Sequence, residues 1–113
     1  MPYINTKTSI PISKNAEENI KTRLGRAVTL MGKSESHLMV NMEDNCRLYF
    51  AGTNDEPAAF VEVRLFGKAS KKAYDDVTAE ITKIIKEELA VPGNRIYVQY
   101  EEVPNWGFNG RNF

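Results

Sequence analysis

The strongest constraint on this chain of 113 residues is a twofold repeat of strand, helix and strand. Tyr3 to Thr8 alternates as a strand, with Ile4 and Thr6 on one side and Tyr3, Asn5 and Lys7 on the other, and Pro11 ends it. The following segment has Ser13 or Asn15 as a cap and Glu17 and Glu18 in its first turn. Ile20, Leu24, Ala27, Val28 and Met31 fall on one face of a helix that Gly32 stops. Leu38 to Met42 is a second strand, apolar enough to predict burial on both faces. Glu43 to Asn45 turns the chain into a short strand over Arg47 to Ala51, and Gly52 to Pro57 is a loop.

The same order then recurs. Ala58 to Phe66 alternates, with Ala59, Val61, Val63 and Leu65 on one face and Phe60, Glu62, Arg64 and Phe66 on the other. A helix starts at about Ser70 and runs to Leu89, with Tyr74, Val77, Ile81, Ile84, Ile85 and Leu89 on its apolar side. Val91-Pro92-Gly93-Asn94 stops it, and Arg95 to Glu102 forms a last long strand. The Gly- and Asn-rich tail from Pro104 to Phe113 carries Trp106, Phe108 and Phe113. The halves repeat at roughly 56 residues, as two βαβ units. They predict one α/β domain over 1–113, an α+β sandwich whose four-stranded mixed sheet has both helices on one face. The other face, with Phe60, Phe66 and Tyr97, is then too apolar to stand free and is expected to pack against further subunits.

Fifteen basic and fifteen acidic residues balance to zero net charge, which argues against a general nucleic-acid or membrane footprint. Lys68, Lys71 and Lys72 read as the solvated start of a helix. Cys46 is the sole cysteine, so no intrachain disulfide forms, and the sole histidine, His37, is too far along the chain to mark a thiol–imidazole pair. Both read as structural. Met1 to Ile10 has neither the basic nor the apolar region of a leader, so cytoplasmic synthesis is expected, with leaderless secretion left open.

Five motifs stand in order: Met1-Pro2, Gly32-Lys33, Phe66-Gly67-Lys68, Arg95-Ile96-Tyr97-Val98 and Trp106-Gly107-Phe108-Asn109-Gly110. Together, across the whole chain, they resemble the macrophage migration inhibitory factor and D-dopachrome tautomerase family. The resemblance implies a homotrimer whose sheets surround a central channel, with short edge strands pairing across subunits and no cofactor or metal. It also implies keto–enol tautomerisation of phenylpyruvate-type α-keto acids, or of D-dopachrome-like aryl substrates. The alternative it carries is a secreted, cytokine-like protein that engages a host receptor. A third reading, a sandwich that binds RNA, lacks both the charge and the paired aromatics.

The chemistry centres on Pro2. Trimming Met1 before a small residue leaves a secondary amine at the terminus. An α-amino group titrates near neutrality, and burial or a nearby cation lowers its pKa further, leaving a free base. Lys33 complements a helix C-terminus; by resemblance it also holds the substrate carboxylate and helps depress the Pro2 pKa. Phe66 replaces a smaller aliphatic residue whose backbone N–H binds substrate, and its ring either packs on the sheet or reshapes the pocket mouth. Tyr97 matches a pocket tyrosine supplied by the neighbouring subunit, and Gln99 stands where relatives carry asparagine. Phe108 matches a pocket aromatic and Trp106 an aliphatic position, as though the bulky groups had changed places. Ala58-Ala59-Phe60-Val61 replaces the Cys-x-x-Cys of mammalian members, so thiol–disulfide exchange is absent.

Overall fold

The computed structural model describes all residues, 1–113. The elements are β1 (Pro2–Thr8), α1 (Lys14–Ala27), β2 (Met39–Glu43), β3 (Ala59–Phe66), α2 (Lys71–Leu89), β4 (Ile96–Val103) and a terminal hairpin of β5 (Gly107–Phe108) and β6 (Arg111–Asn112). The repeat is exact in its layout: Pro2 and Ala59, Lys14 and Lys71, and Met39 and Ile96 open corresponding elements at one constant offset. The sheet order is β2-β1-β3-β4. Each unit pairs its own strands in parallel, β1 with β2 and β3 with β4, and the units join by the antiparallel β1–β3 pair. The result is the expected mixed four-stranded sheet.

Local chemistry explains the helix limits. Ser13 accepts from the Ala16 N–H at 3.1 Å, and Ser70 accepts from the Ala73 N–H at 3.0 Å, each satisfying an otherwise unpaired donor of a first turn. Ser13 is thus the cap of α1. A 3₁₀ turn, Val28–Met31, extends α1 to Gly32, which has a φ of 74° that only glycine adopts without strain.

Core residues come from the faces that the two periodicities assign. Ile4 and Thr6 of β1, and Val61, Val63 and Leu65 of β3, meet Ile20 and Leu24 of α1 and Val77, Ile81, Ile84 and Ile85 of α2, all essentially inaccessible to water. Both helices therefore cover one face of the sheet. Neither is long and apolar enough to cross a membrane.

Three expectations need correction. Arg47 to Ala51 is not a strand; its only ladder contact is a bridge between Phe50 and Thr53. Arg95 anchors the end of this segment and the loop after it: it is 7% exposed, has its guanidinium over the Phe50 ring, and donates to the loop carbonyls of Thr53, Glu56 and Pro57 at 3.1 Å. The second strand is not buried on both faces, because β2 lies at a sheet edge and alternates exposed with half-buried positions. The open sheet face is also less apolar than expected. Asn5, 5% exposed, donates to Glu43 at 2.8 Å and Glu62 at 3.0 Å and accepts from Asn41 at 3.0 Å, and Lys7 pairs with Glu62 at 3.3 Å. Partial burial pushes the Glu62 carboxyl pKa up, but the bonds from Asn5 and Lys7 and the charges of Lys7 and Arg64 outweigh it, so the pKa falls below the usual carboxylate range.

Thr6 is the one flaw in the core. Its hydroxyl is fully buried and has no hydrogen-bond partner. Thr6→Val, which substitutes a methyl for that hydroxyl, is expected to raise unfolding free energy by about 1 kcal/mol, the cost of a buried unmet polar group. Denaturant unfolding of the two proteins checks this.

Candidate active site

The sheet topology determines where a site can form. Parallel pairing puts the start of β2 beside the start of β1; antiparallel pairing puts the end of β3 there, and the end of β4 follows. One rim of the sheet therefore gathers Pro2, Met39, Leu65 and Glu102 with their neighbours. The terminal hairpin and the 3₁₀ turn Glu35–His37 flank this rim and border an open cavity of ≈ 790 Å³.

Pro2 is buried and lines this cavity together with Trp106 and Phe108. Three of the residues expected at the site therefore meet in one space. The two bulky aromatics both wall it, whichever of their positions is compared. Lys33 and Phe66 sit against the same terminus from another side. The Phe66 N–H donates to the Met1 carbonyl at 3.2 Å, and the Phe66 carbonyl accepts from Lys33 Nζ at 3.0 Å. Gly67 follows with a φ of 86°, and a Cβ there would lie 3.7 Å from Lys33 Nζ. That contact would be an ordinary one, so it is the left-handed turn, not space for Lys33, that calls for glycine here. The Phe66 ring packs on Phe113, with centroids 5.6 Å apart, rather than across the proline, and it borders a separate cavity of ≈ 470 Å³ with Lys68 and Glu102.

Tyr97 and Gln99 do not join this cluster within one chain. Tyr97 pairs in register with Phe60, and Gln99 with Glu62, whereas Pro2 pairs with Leu65. At the strand rise, Tyr97 is roughly 16 Å along the sheet from Pro2. Its ring is 59% exposed and lies against Phe50 and Phe60 on the open face, at 5.2 Å and 6.3 Å.

Residues absent from the expected set also reach the site, among them His37, Arg64 and Glu101, which line the cavity, and Phe113, which packs behind its wall. His37 lines the cavity, presents its ring to Phe108 edge-on at 5.8 Å, and has Nδ1 3.2 Å from the Ser36 hydroxyl. Arg64 and Glu101 line it as neighbours of Tyr3 in a cross-strand row. Phe113 stacks on Phe108 at 6.4 Å. For His37, Arg64 and Glu101 the signal was the strand pairing: once Pro2 starts β1, parallel pairing brings the residues leading into β2 beside it, and antiparallel pairing brings the end of β3 with the end of β4.

The surroundings shift the terminal amine toward its neutral form. With Met1 in place the terminal amine belongs to Met1, and the Pro2 nitrogen is an amide without basicity. The Met1 amine pKa is lowered, first by burial and then by the Lys33 charge. The aromatic walls offer planar apolar surface, while the Phe66 N–H is taken by the Met1 carbonyl and Lys33 Nζ donates to the Phe66 carbonyl.

Comparison with known proteins agrees in length and fold. Residues 1–113 match the family model described as Macrophage migration inhibitory factor. The macrophage migration inhibitory factor homolog of Trichuris trichiura is 26% identical over 115 residues, covering 100% of both chains. The crystal structure of Leishmania major MIF2 is 30% identical, with a TM-score of 0.93 over 100% of this chain and 97% of that one. The homologue from Prochlorococcus marinus is also 30% identical, with a TM-score of 0.89 over 98% of each chain. This chain belongs to the macrophage migration inhibitory factor family and has the tautomerase-superfamily fold.

Proposed function

We propose that the protein is a keto–enol tautomerase for phenylpyruvate-type 2-keto acids, with the Pro2 amine as its acid–base group once Met1 is removed. The observation that carries this reading is a buried Pro2 on an aromatic-walled cavity, next to a terminal amine whose pKa is lowered by burial first and by Lys33 second. Removing Met1 has two consequences. It converts the Pro2 nitrogen from an amide into a secondary amine with a basic lone pair. It also takes away the Met1 carbonyl, which occupies the Phe66 N–H, and so releases a donor for the substrate.

The reaction is a proton transfer in both directions. The neutral Pro2 amine takes a proton from C3 of the keto acid. The C–H electron pair becomes the C2=C3 double bond, and the carbonyl pair moves onto oxygen. Protonation of that oxygen gives the enol, and reversal of the same steps regenerates the ketone. Lys33 holds the carboxylate as a point charge, and Trp106 and Phe108 hold the planar aryl group.

Tyr97 and Gln99 enter from a neighbouring subunit in a trimer. Phe50, Phe60 and Tyr97 form an aromatic cluster on the open face, with Tyr97 largely uncovered, and such a cluster calls for a partner. Tyr97→Glu should break the assembly and lower kcat/KM together, as read by sedimentation and turnover at matched concentration.

Kinetics test the base. Pro2→Gly should reduce kcat for phenylpyruvate by roughly 10²–10⁴-fold while circular dichroism stays native. Because the neutral amine acts, the rate rises with pH through the amine pKa and levels off above it. That limb should lie below the ordinary α-amino value of about 8. Lys33→Gln removes a cause of the depression, so the limb should shift to higher pH and KM should rise. Unchanged turnover in Pro2→Gly would refute the assignment.

A further inference from the structure

The cation that actually lines the Pro2 cavity is Arg64, not Lys33. Lys33 Nζ lies to one side, bound to the Phe66 carbonyl. Arg64 lies on the other. It is directly opposite Tyr3 in the β1–β3 ladder, one residue from the Pro2–Leu65 pair, on the open face of the sheet. The terminal proline therefore sits between two positive side chains on different faces.

Arg64 is not consumed by its neighbours. Its Nη2 is 3.5 Å from Glu62 and its Nε 3.6 Å from Glu101, and no partner engages Nη1. Charge-assisted bonds normally close to about 2.7–2.9 Å, so both contacts are loose. Glu62 is drawn elsewhere, since its other oxygen is held by Asn5 at 3.0 Å and Lys7 at 3.3 Å. Arg64 is half exposed, whereas the paired and buried Arg95 spends its donors on backbone carbonyls. A guanidinium with a free donor edge, steered by two acids without being saturated, suits a planar carboxylate.

We propose that Arg64 is a second anion anchor of this cavity, so that the site takes 2-keto acids bearing a second carboxylate at the end remote from the first. This rests on the tautomerase reading for its substrate chemistry, but its geometry is independent of turnover. Lys33 would hold the carboxylate next to the carbonyl, the Pro2 nitrogen would face the carbon between the charged ends, and Arg64 would hold the distal carboxylate.

The test compares 2-oxoglutarate with 2-oxopentanoate, which differ only in a terminal carboxylate against a methyl group. Binding to the Met1-processed protein is read by calorimetry and by quenching of Trp106, the chain's single tryptophan, which lines the same cavity. The dicarboxylate should bind roughly tenfold or more tightly, the worth of one charged hydrogen bond. Arg64→Gln should erase that margin, the dicarboxylate losing roughly tenfold more affinity than 2-oxopentanoate, and Arg64→Lys, which keeps the charge without the fork, should restore part of it. Equal affinity for the two acids in the unaltered protein would overturn the proposal without any variant. So would a margin that survives in Arg64→Gln. Loss of phenylpyruvate turnover in the unaltered protein, with the binding margin intact, would sink the tautomerase reading alone.

Discussion

The pairing of β1 between β2 and β3 is the interaction on which everything else depends. Chain termini ordinarily fray, because nothing ties their backbone groups down. Here the first strand is central, and its ladder runs to Pro2 itself, which pairs with Leu65. An amine at this terminus is therefore held against an apolar wall and near a fixed lysine. Neither the lowered pKa of the terminal amine nor the shaped cavity would exist if the first residues were mobile. The same pairing joins the two βαβ units, so one antiparallel contact builds the sheet and places the site.

Much of this was legible in the sequence. The alternation in Ala59–Leu65 and the helical stripe from Val77 to Leu89 name the buried faces directly, and the structure buries those residues. Capping chemistry likewise marks Ser13 and Ser70. What failed was whatever depends on neighbours rather than on local pattern. Leu38–Met42 has the composition of a central strand, yet only strand order decides that it is an edge. Arg47–Ala51 has strand character, but no strand of its own chain lies alongside, and Arg95 holds its end through the Phe50 ring and carbonyl and through the carbonyls of the following loop. The site shows the same division. Pro2, Trp106 and Phe108 carried motifs and do meet, whereas His37, Arg64 and Glu101 became visible only when the strand register was known. Tyr97 and Gln99 point the other way: their motif is present, but one chain alone keeps them apart from Pro2.

The open sheet face joins two chemistries that composition alone would average away. An aromatic group of Phe50, Phe60 and Tyr97 lies at one end, and the Arg64–Glu101 pair lies at the cavity end. Between them Asn5, Asn41, Glu43, Glu62 and Lys7 satisfy one another. Such a network fixes side chains without needing an apolar cover, so the sheet carries an arginine at the cavity end and a partly exposed aromatic cluster at the other. The two cations flanking the terminus then differ in kind: Lys33 is tethered to a backbone carbonyl, and Arg64 is only loosely paired.

The central claim concerns one nitrogen, and it is open to direct observation. Nitrogen-15 NMR of the Met1-processed protein, labelled at proline, follows the Pro2 amine through its titration without reference to any substrate. The account predicts a pKa below the ordinary α-amino value of about 8, moving upward in Lys33→Gln. A Pro2 amine that titrates at or above that value, unaffected by loss of Lys33, would contradict it.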